Sequence, residues 1–465
     1  MNDSLYSYDK ASGKITTDIY TSDEIVNLLG SSRPENKLFT SMAVDNLVDE
    51  VKAKAKDKEL AKLFENCFPN TLDTTVHYDE DLSSSPDTYV ITGDIDAMWL
   101  RDSTAQVTPY ISLINQDDKL KRMIEGVINR QSKYILIDPY ANAFNKADEG
   151  SPWQDDFTDM KPELHERKWE LDSLCSHIRL SYMYYQKAED SQFFKEGWLN
   201  SAKLIYKTFK DQQRKDSEKD YSFQRVTPVA TDTLADNGLG YPVNPVGLIA
   251  SSFRPSDDAT ILPFLIPANF YAVESLRQLA EISSQVYGDF EFATQCKTLA
   301  EEVQNAIYEY GVVEHKKFGK IFAYEVDGYG SHILMDDANV PSLISLPYLG
   351  CLDKNDELYQ NTRKFLLSKN NPWYFNGKDL AGIGSIHTGR GYVWPIAIVI
   401  QALTSNDELE VKQCVEYLKN SHAGTYFMHE GINKDNQFDY TRKWFAWANT
   451  LFGELLYNIW NQKGF

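Results

Sequence analysis

Residues 269–286, NFYAVESLRQLAEISSQV, decide the fold class. Ala272, Val273, Leu276, Leu279, Ala280 and Val286 recur at steps of three and four. Glu274, Arg277, Gln278, Glu281 and Gln285 fill the other face. That periodicity describes an amphipathic helix with one apolar side. Pro267 stands before it and Gly288 after it, the usual punctuation of a helix start and stop.

The same pattern recurs along the chain. It predicts helices over Phe39–Phe68 (with a break near Lys58), Met98–Ile114, Leu120–Ile135, Leu171–Lys187, Phe193–Phe209 and Phe292–Tyr308. Further ones are predicted over Pro341–Leu349, Glu357–Leu367, Tyr392–Leu403, Glu408–Leu418 and Trp444–Trp460. Asp87–Thr92 and Ile321–Val326 carry the best strand signals. About a dozen helices and few strands predict an all-α protein, a toroid in which inner helices are ringed by outer ones. No Pro/Gly/Ser-rich linker divides the chain. The expectation is a loose polar segment over residues 1–20 and a single domain over 21–465.

Apolar residues make up 42% and charged residues 25% of the 465, ordinary globular usage. The formal charge of −21 repels phosphate backbones and anionic lipids. Nucleic acid and membrane surfaces are therefore not the expected partners, and a neutral ligand carries no such penalty. Cys67, Cys175, Cys296, Cys351 and Cys414 are odd in number, and no two stand in C-x-x-C spacing. They predict free thiols in a reducing compartment rather than a disulfide framework or a zinc ribbon. The first residues show no signal peptide, so a cytoplasmic protein is expected.

Several common catalytic motifs are absent. There is no P-loop and no G-x-S-x-G elbow. Gly382 and Gly384 begin a G-x-G, but His387 stands where a third glycine belongs. His429-Glu430 begins like a zinc-protease helix, but Asn433 replaces the second histidine. No spacing of His, Cys and carboxylates makes a metal site, and no cofactor is expected.

Charged clusters gather between the helices. Thr92–Ser103 packs Asp94, Asp96, Trp99, Arg101 and Asp102 into one loop-to-helix junction. Asp102 either caps its helix or, with Arg101 donating and Trp99 stacking, grips the vicinal hydroxyls of a sugar. Ser256-Asp257-Asp258 either caps a helix or supplies a catalytic acid, whose proton affinity low polarity would raise and Arg254 would lower. Glu430, in Met428-His429-Glu430-Gly431, is either a solvated loop residue or a base. Trp444–Asn449 reads as a core-facing helix, and Asp336-Asp337 as a cap rather than a cation site.

Taken in order, the stretches TGDIDAMWLRDST, IDPYANAFN, ERKWELDSLC, SSFRPSDDA, MDDANVPSL, GIGSIHT, MHEG and RKWFAWANTLF resemble glycoside hydrolase family 125, exo-α-1,6-mannosidases of bacteria and fungi. The resemblance covers roughly residues 60–460. It implies an (α/α)6 barrel and hydrolysis with inversion and without a metal. By matching, Asp257 is implied as the general acid and Glu430 as the general base. Arg101 and Asp102 are implied to hold the terminal mannose, with His387, Trp99 and Asn142 lining the same pocket. The implied substrate is a mannose-containing oligosaccharide. Gly389-Arg390-Gly391-Tyr392 departs from the family pattern, so contacts beyond the terminal sugar are not carried over.

An acid that acts near neutral pH must keep its proton, so the surroundings of Asp257 are expected to raise its pKa. The alternatives are another sugar enzyme on the same toroid, a glucoamylase-like hydrolase or a disaccharide phosphorylase, or a glycan-binding protein without catalysis. A phosphorylase would need a phosphate site in place of Glu430, and a mere binder would lack one of the two carboxylates.

Overall fold

Leu171–Ala188 and Ile266–Val286 lie side by side and bury almost all of their inward residues, Leu174, Ile178, Val273 and Leu276 among them. They belong to a ring. The computed structural model describes residues 32–79, 85–188, 191–215 and 221–465, together with an antiparallel pairing of Ser7–Asp9 with Lys14–Thr16. The remainder of the expected loose segment 1–20 lies outside the described residues.

Thirteen α-helices occur among the described residues. In chain order they are α1 (Met42–Lys54), α2 (Lys58–Cys67), α3 (Asn70–Thr74), α4 (Leu100–Val107), α5 (Asp118–Ile137), α6 (Leu171–Ala188) and α7 (Glu196–Gln212). They continue as α8 (Ile266–Val286), α9 (Phe290–Tyr310), α10 (Glu357–Leu366), α11 (Pro395–Leu403), α12 (Glu408–Lys419) and α13 (Ala446–Lys463).

The inner ring runs α4, α6, α8, a turn-rich segment over 340–350, α11 and α13, with α13 closing back onto α4. Outside it stand α2, α5, α7, α9, α10 and α12. A cavity on the axis is lined by Arg101, Thr104, Ser176, Tyr271, Tyr348 and Trp447, drawn from five of the inner segments. The arrangement is an (α/α)6 barrel, as expected.

The two rings start their helices differently. Asp57, Asp117, Asp289, Asp356 and Asp407 cap outer helices, each accepting from main-chain amides of the first turn. The N-cap positions of four inner helices are Trp99, Leu265, Trp394 and Phe445, with no side-chain cap. Short strands lead into three of them. Met98–Trp99 pairs with Ala143–Phe144 and that with Leu164–Glu166. Phe264–Leu265 pairs with Glu325–Val326, and Tyr392–Val393 with Ile432–Asn433. The loops before the inner helices are thereby pinned to one end of the barrel, which is where binding residues on a rigid scaffold belong.

Two expectations are corrected. Pro341–Leu349 is a succession of turns, not a helix. Pro347 offers no amide and its ring would meet the carbonyl of residue 343; the turns are tied down by Asp336, which accepts from Leu343 N and Ile344 N at 2.8 and 3.0 Å. The helix predicted from Tyr392 starts at Pro395, because Tyr392 and Val393 are taken up by a strand. The break near Lys58 is present, where Asp57 starts a new helix.

Candidate active site

Arg101 lies in the first turn of α4 with its guanidinium buried beneath the loops. Its Nη1 donates to Glu170 at 2.6 Å and to Asp172 at 3.2 Å, and Nη2 donates to Asp257 at 3.4 Å. Its Nε stands 3.4 Å from Asp102 Oδ2, and neither of these two atoms has a hydrogen-bond partner. Asp102 does not cap α4, whose N-cap is Trp99. A buried, unpartnered donor and acceptor side by side suit a ligand hydroxyl, which supplies both partners.

The strand pairing beside this cluster explains Trp99 and Asn142. Trp99 pairs with Ala143, is buried, and leaves its indole Nε1 unpartnered. The carbonyl of Asn142 accepts from Leu100 N at 3.1 Å, so the two chains are locked together. The Asn142 amide donates to Glu166 at 3.0 Å and to Asp257 at 3.3 Å.

Asp257 sits on a tight turn. Its N–H donates to Arg254 O at 2.9 Å, Arg254 N donates to Asp258 O at 2.7 Å, and Asp257 itself has φ 63°. The left-handed region costs an L-residue about 1–2 kcal/mol, least for Asp and Asn, and such strain gathers at functional positions. No helix follows until Ile266, so Ser256-Asp257-Asp258 is not a cap. Arg254 is not the cation beside Asp257, because Glu325 holds it at 2.6 Å. Lys168 Nζ donates to the main-chain oxygen of Asp257 at 2.9 Å and to Asp232 at 2.6 Å.

Glu430 is buried, not the solvated residue its loop suggests. Its Oε2 accepts from the Thr441 hydroxyl at 3.0 Å, and its Oε1 faces Arg442 Nη1 at 3.4 Å. Arg442 is held in turn by Asp94 at 2.9 Å. Asn449 of α13 clamps the loop from below, accepting from Met428 N at 2.8 Å and donating to Met428 O at 3.3 Å.

His387 joins the two halves. Its Nδ1 is 3.4 Å from Asp258, and the charges of both Glu430 and Asp257 act on it. Burial opposes its protonation, but the hydrogen bond and charge of Asp258 prevail and hold its pKa up to about 10. The histidine is therefore a cation at neutral pH. Ser385 supports its loop, donating its hydroxyl to Asp337 at 2.8 Å and accepting from His387 N at 3.2 Å.

The expectation for Asp257 is overturned. Burial works to raise its pKa, but Arg101 and a hydrogen bond from Glu170 outweigh it, and the carboxyl lies well below the usual range. Burial raises Glu170 well above the ordinary carboxyl range despite Arg101. Burial likewise pushes Asp102 up to about 6. Sequence reasoning assigned no role to Glu170, Asp172, Lys168, Thr441 or Arg442. Glu170, Asp172 and Lys168 stood in the matched run ERKWELDSLC, the one signal that pointed to them.

A family model described as metal-independent alpha-mannosidase (GH125) matches residues 57–457. The meiotically up-regulated gene 157 protein of Schizosaccharomyces pombe is 41% identical over 450 residues, 92% of this chain and 87% of that protein. A Streptococcus pneumoniae metal-independent α-mannosidase, solved in a non-productive complex with alpha-1,6-mannobiose, superposes with TM-score 0.88 at 39% identity, over 92% of this chain and all of that one. A GH78 rhamnosidase of Bacillus sp. GL1, at 12% identity and TM-score 0.51 over 92% of this chain and 36% of its own, shares the fold alone. Among the described residues no three His, Cys, Asp or Glu stand together as a metal site, and no helix is long and apolar enough to cross a membrane. The family match runs unbroken through every loop that builds the site, and the chain accordingly belongs to the metal-independent α-mannosidases of GH125.

Proposed function

We propose that this α-mannosidase removes terminal α-1,6-linked mannose from the non-reducing end of a glycan with inversion, Asp257 acting as general acid and Glu430 as general base. The observation that carries the reading is that two carboxylates on separate loops, Asp257 and Glu430, each stand 3.4 Å from an arginine, Arg101 and Arg442, with His387 near enough to feel both charges. An inverting hydrolase needs one carboxyl at the leaving oxygen and another set back, roughly 6.5–9.5 Å away, to activate water. Asp257 is held by Arg101 and Asn142, and Glu430 by Thr441 and Arg442. Arg101 and Asp102 close the pocket and make it exo-acting, since a chain continuing past them would collide with the pair. The solved relative bound to alpha-1,6-mannobiose supports the linkage.

Residues 21–465 work as one catalytic unit in this reading. All five cysteines are free and four are buried, which suits the reducing cytoplasm.

The test uses α-1,6-mannobiose, with the α-1,2 and α-1,3 isomers alongside, followed by proton NMR. The first product should be β-mannose, and the α-1,6 isomer should be cleaved fastest. Asp257→Asn and Glu430→Gln should each lower kcat by about 10²–10⁴-fold with the fold intact. First-formed α-mannose, or near-normal turnover in either variant, overturns the assignment.

A further inference from the structure

An acid catalyst must hold a proton, yet Arg101, 3.4 Å away, favours the ionised form of Asp257. The charge count beside it shows where the proton waits. Arg101 stands within 3.4 Å of four carboxylates, on Asp102, Glu170, Asp172 and Asp257. The side chains of Glu170 and Asp172 are 0% exposed. Four like charges around a single guanidinium, two of them wholly out of water, cannot all persist; binding one proton relieves the repulsion.

The hydrogen bonds select the carrier. Glu170 Oε2 accepts from Arg101 Nη1 at 2.6 Å and from the Ser173 hydroxyl at 2.9 Å. Glu170 Oε1 is buried and has no partner, and Glu170 and Asp257 sit on the two Nη atoms of the one Arg101 guanidinium, at 2.6 and 3.4 Å, side by side for a hydrogen bond between them. A hydrogen on Oε1 gives that atom its partner and gives Asp257 a donor. The other charged groups around the pair are committed or of the wrong kind. Lys168 is engaged by Asp232, and His387 by Asp258. Asp102 Oδ2 and Asp172 Oδ1 are buried without a partner too, but of the three carboxyls only Glu170 stands next to Asp257, and His165 is held neutral by burial.

We propose that Glu170 is a positioning residue that shares one proton with Asp257, holding it before substrate binds and passing it across when the glycosidic oxygen arrives. The inference rests on Asp257 being the acid. In the reaction the proton moves from Glu170 Oε1 to Asp257, and from Asp257 to the glycosidic oxygen as the bond to the anomeric carbon breaks. Water adds to that carbon and gives its proton to Glu430. Mannose and the leaving alcohol depart neutral, and solvent exchange moves the proton gained at Glu430 back to the Glu170–Asp257 pair.

The experiment is the pH profile of kcat/KM on α-1,6-mannobiose. The basic limb reports loss of the shared proton, which mutual repulsion of two carboxylates keeps high. Glu170→Gln removes that repulsion, so the limb should move to lower pH by about one unit or more, with activity largely regained below it. Glu170→Asp keeps a carboxyl and should restore the limb. A merely structural role lowers kcat evenly across pH and leaves the limb in place; that result overturns the proposal. If Glu170→Gln does not fold, infrared spectra of the wild-type enzyme decide: a protonated carboxyl band must titrate with the midpoint of the limb, and its absence overturns the proposal. Asp257→Asn on 2,4-dinitrophenyl α-mannoside, whose leaving group needs no acid, separates the two readings. Rescue there with an unmoved Glu170→Gln limb rejects the sharing alone. Equal inactivity of Asp257→Asn on both substrates rejects Asp257 as acid, and the sharing with it.

Discussion

Asp102→Asn separates ligand binding from stability, because the two should move in opposite directions. The Oδ2 atom of Asp102 and the Nε of Arg101 are buried 3.4 Å apart, each without a hydrogen-bond partner. A hydrogen bond to a charged group contributes about 1.5–3 kcal/mol. The asparagine keeps one acceptor and turns the other into a donor, so the lower part of that range applies, and kcat/KM should fall about 10–100-fold. Stability should go the other way. Burial raises the Asp102 pKa from the ordinary value to about 6. A carboxyl raised in the folded state contributes its full stability below the unfolded pKa and loses it as pH rises through the folded one. Wild type and variant should therefore melt alike near pH 4, and the variant should be the more stable above pH 6, by at most about 3 kcal/mol. The assays are kinetics on α-1,6-mannobiose and thermal melts of both proteins from pH 4 to 8. If kcat/KM stays within threefold of wild type while the melting point drops, Asp102 is a structural group and the reasoning is refuted.

Two further outcomes can be checked by melting experiments. His387 is raised from 6.5 to about 10 by Asp258 against the effect of burial, so its pairing is fully present below pH 6.5 and fades as pH rises toward 10. Its side chain is 40% exposed, so solvent screening keeps the effect to about 1 kcal/mol or less; His387→Gln should flatten the decline, and parallel curves would reject it. Arg33 donates to Asp73 from Nε at 2.7 Å and from Nη2 at 2.8 Å, and the Asp73 side chain is 1% exposed. Arg33→Ala strands a buried carboxylate and should cost about 3–5 kcal/mol in urea unfolding; a loss under 1 kcal/mol would show that the pair contributes nothing net.

The helices were legible because each carries its own periodicity and its own stop signals. Residues 269–286 needed only the extension to Ile266, with Pro267 in the first turn. The failure at Pro341–Leu349 came from Pro347, which lacks an amide in the interior of the window and whose ring would meet the carbonyl of residue 343. The site was half legible. Arg101, Asp102, Asp257 and Glu430 stood in distinctive loops, and the structure brings Arg101, Asp102 and Asp257 around one guanidinium with Glu430 across from His387. Their electrostatics were not legible. Arg254 was the obvious cation near Asp257 in sequence, yet the one that acts is Arg101, 156 residues away. The burial of Glu430 depends on Arg442, which Asp94 holds from 348 residues away. Such pairings leave no local trace, because only closure of the ring brings them together.

That closure also sets an order of events during synthesis. The first inner helix carries Arg101 and the last one, α13, carries the Asn449 clamp on the Glu430 loop. Their join is close: Thr71 and Thr450 share a hydrogen bond at 2.6 Å, and a side chain at Gly453 would come within 2.5 Å of the Phe68 backbone. A chain emerging from the ribosome releases Arg101 and Asp257 early, but the Glu430 loop lacks its Asn449 clamp and the ring its seam until the residues around 450 follow. Contacts this distant in sequence are made late and slowly. The Glu430 loop is therefore fixed in place only once residues 449–453 have seated against Met428, Thr71 and Phe68.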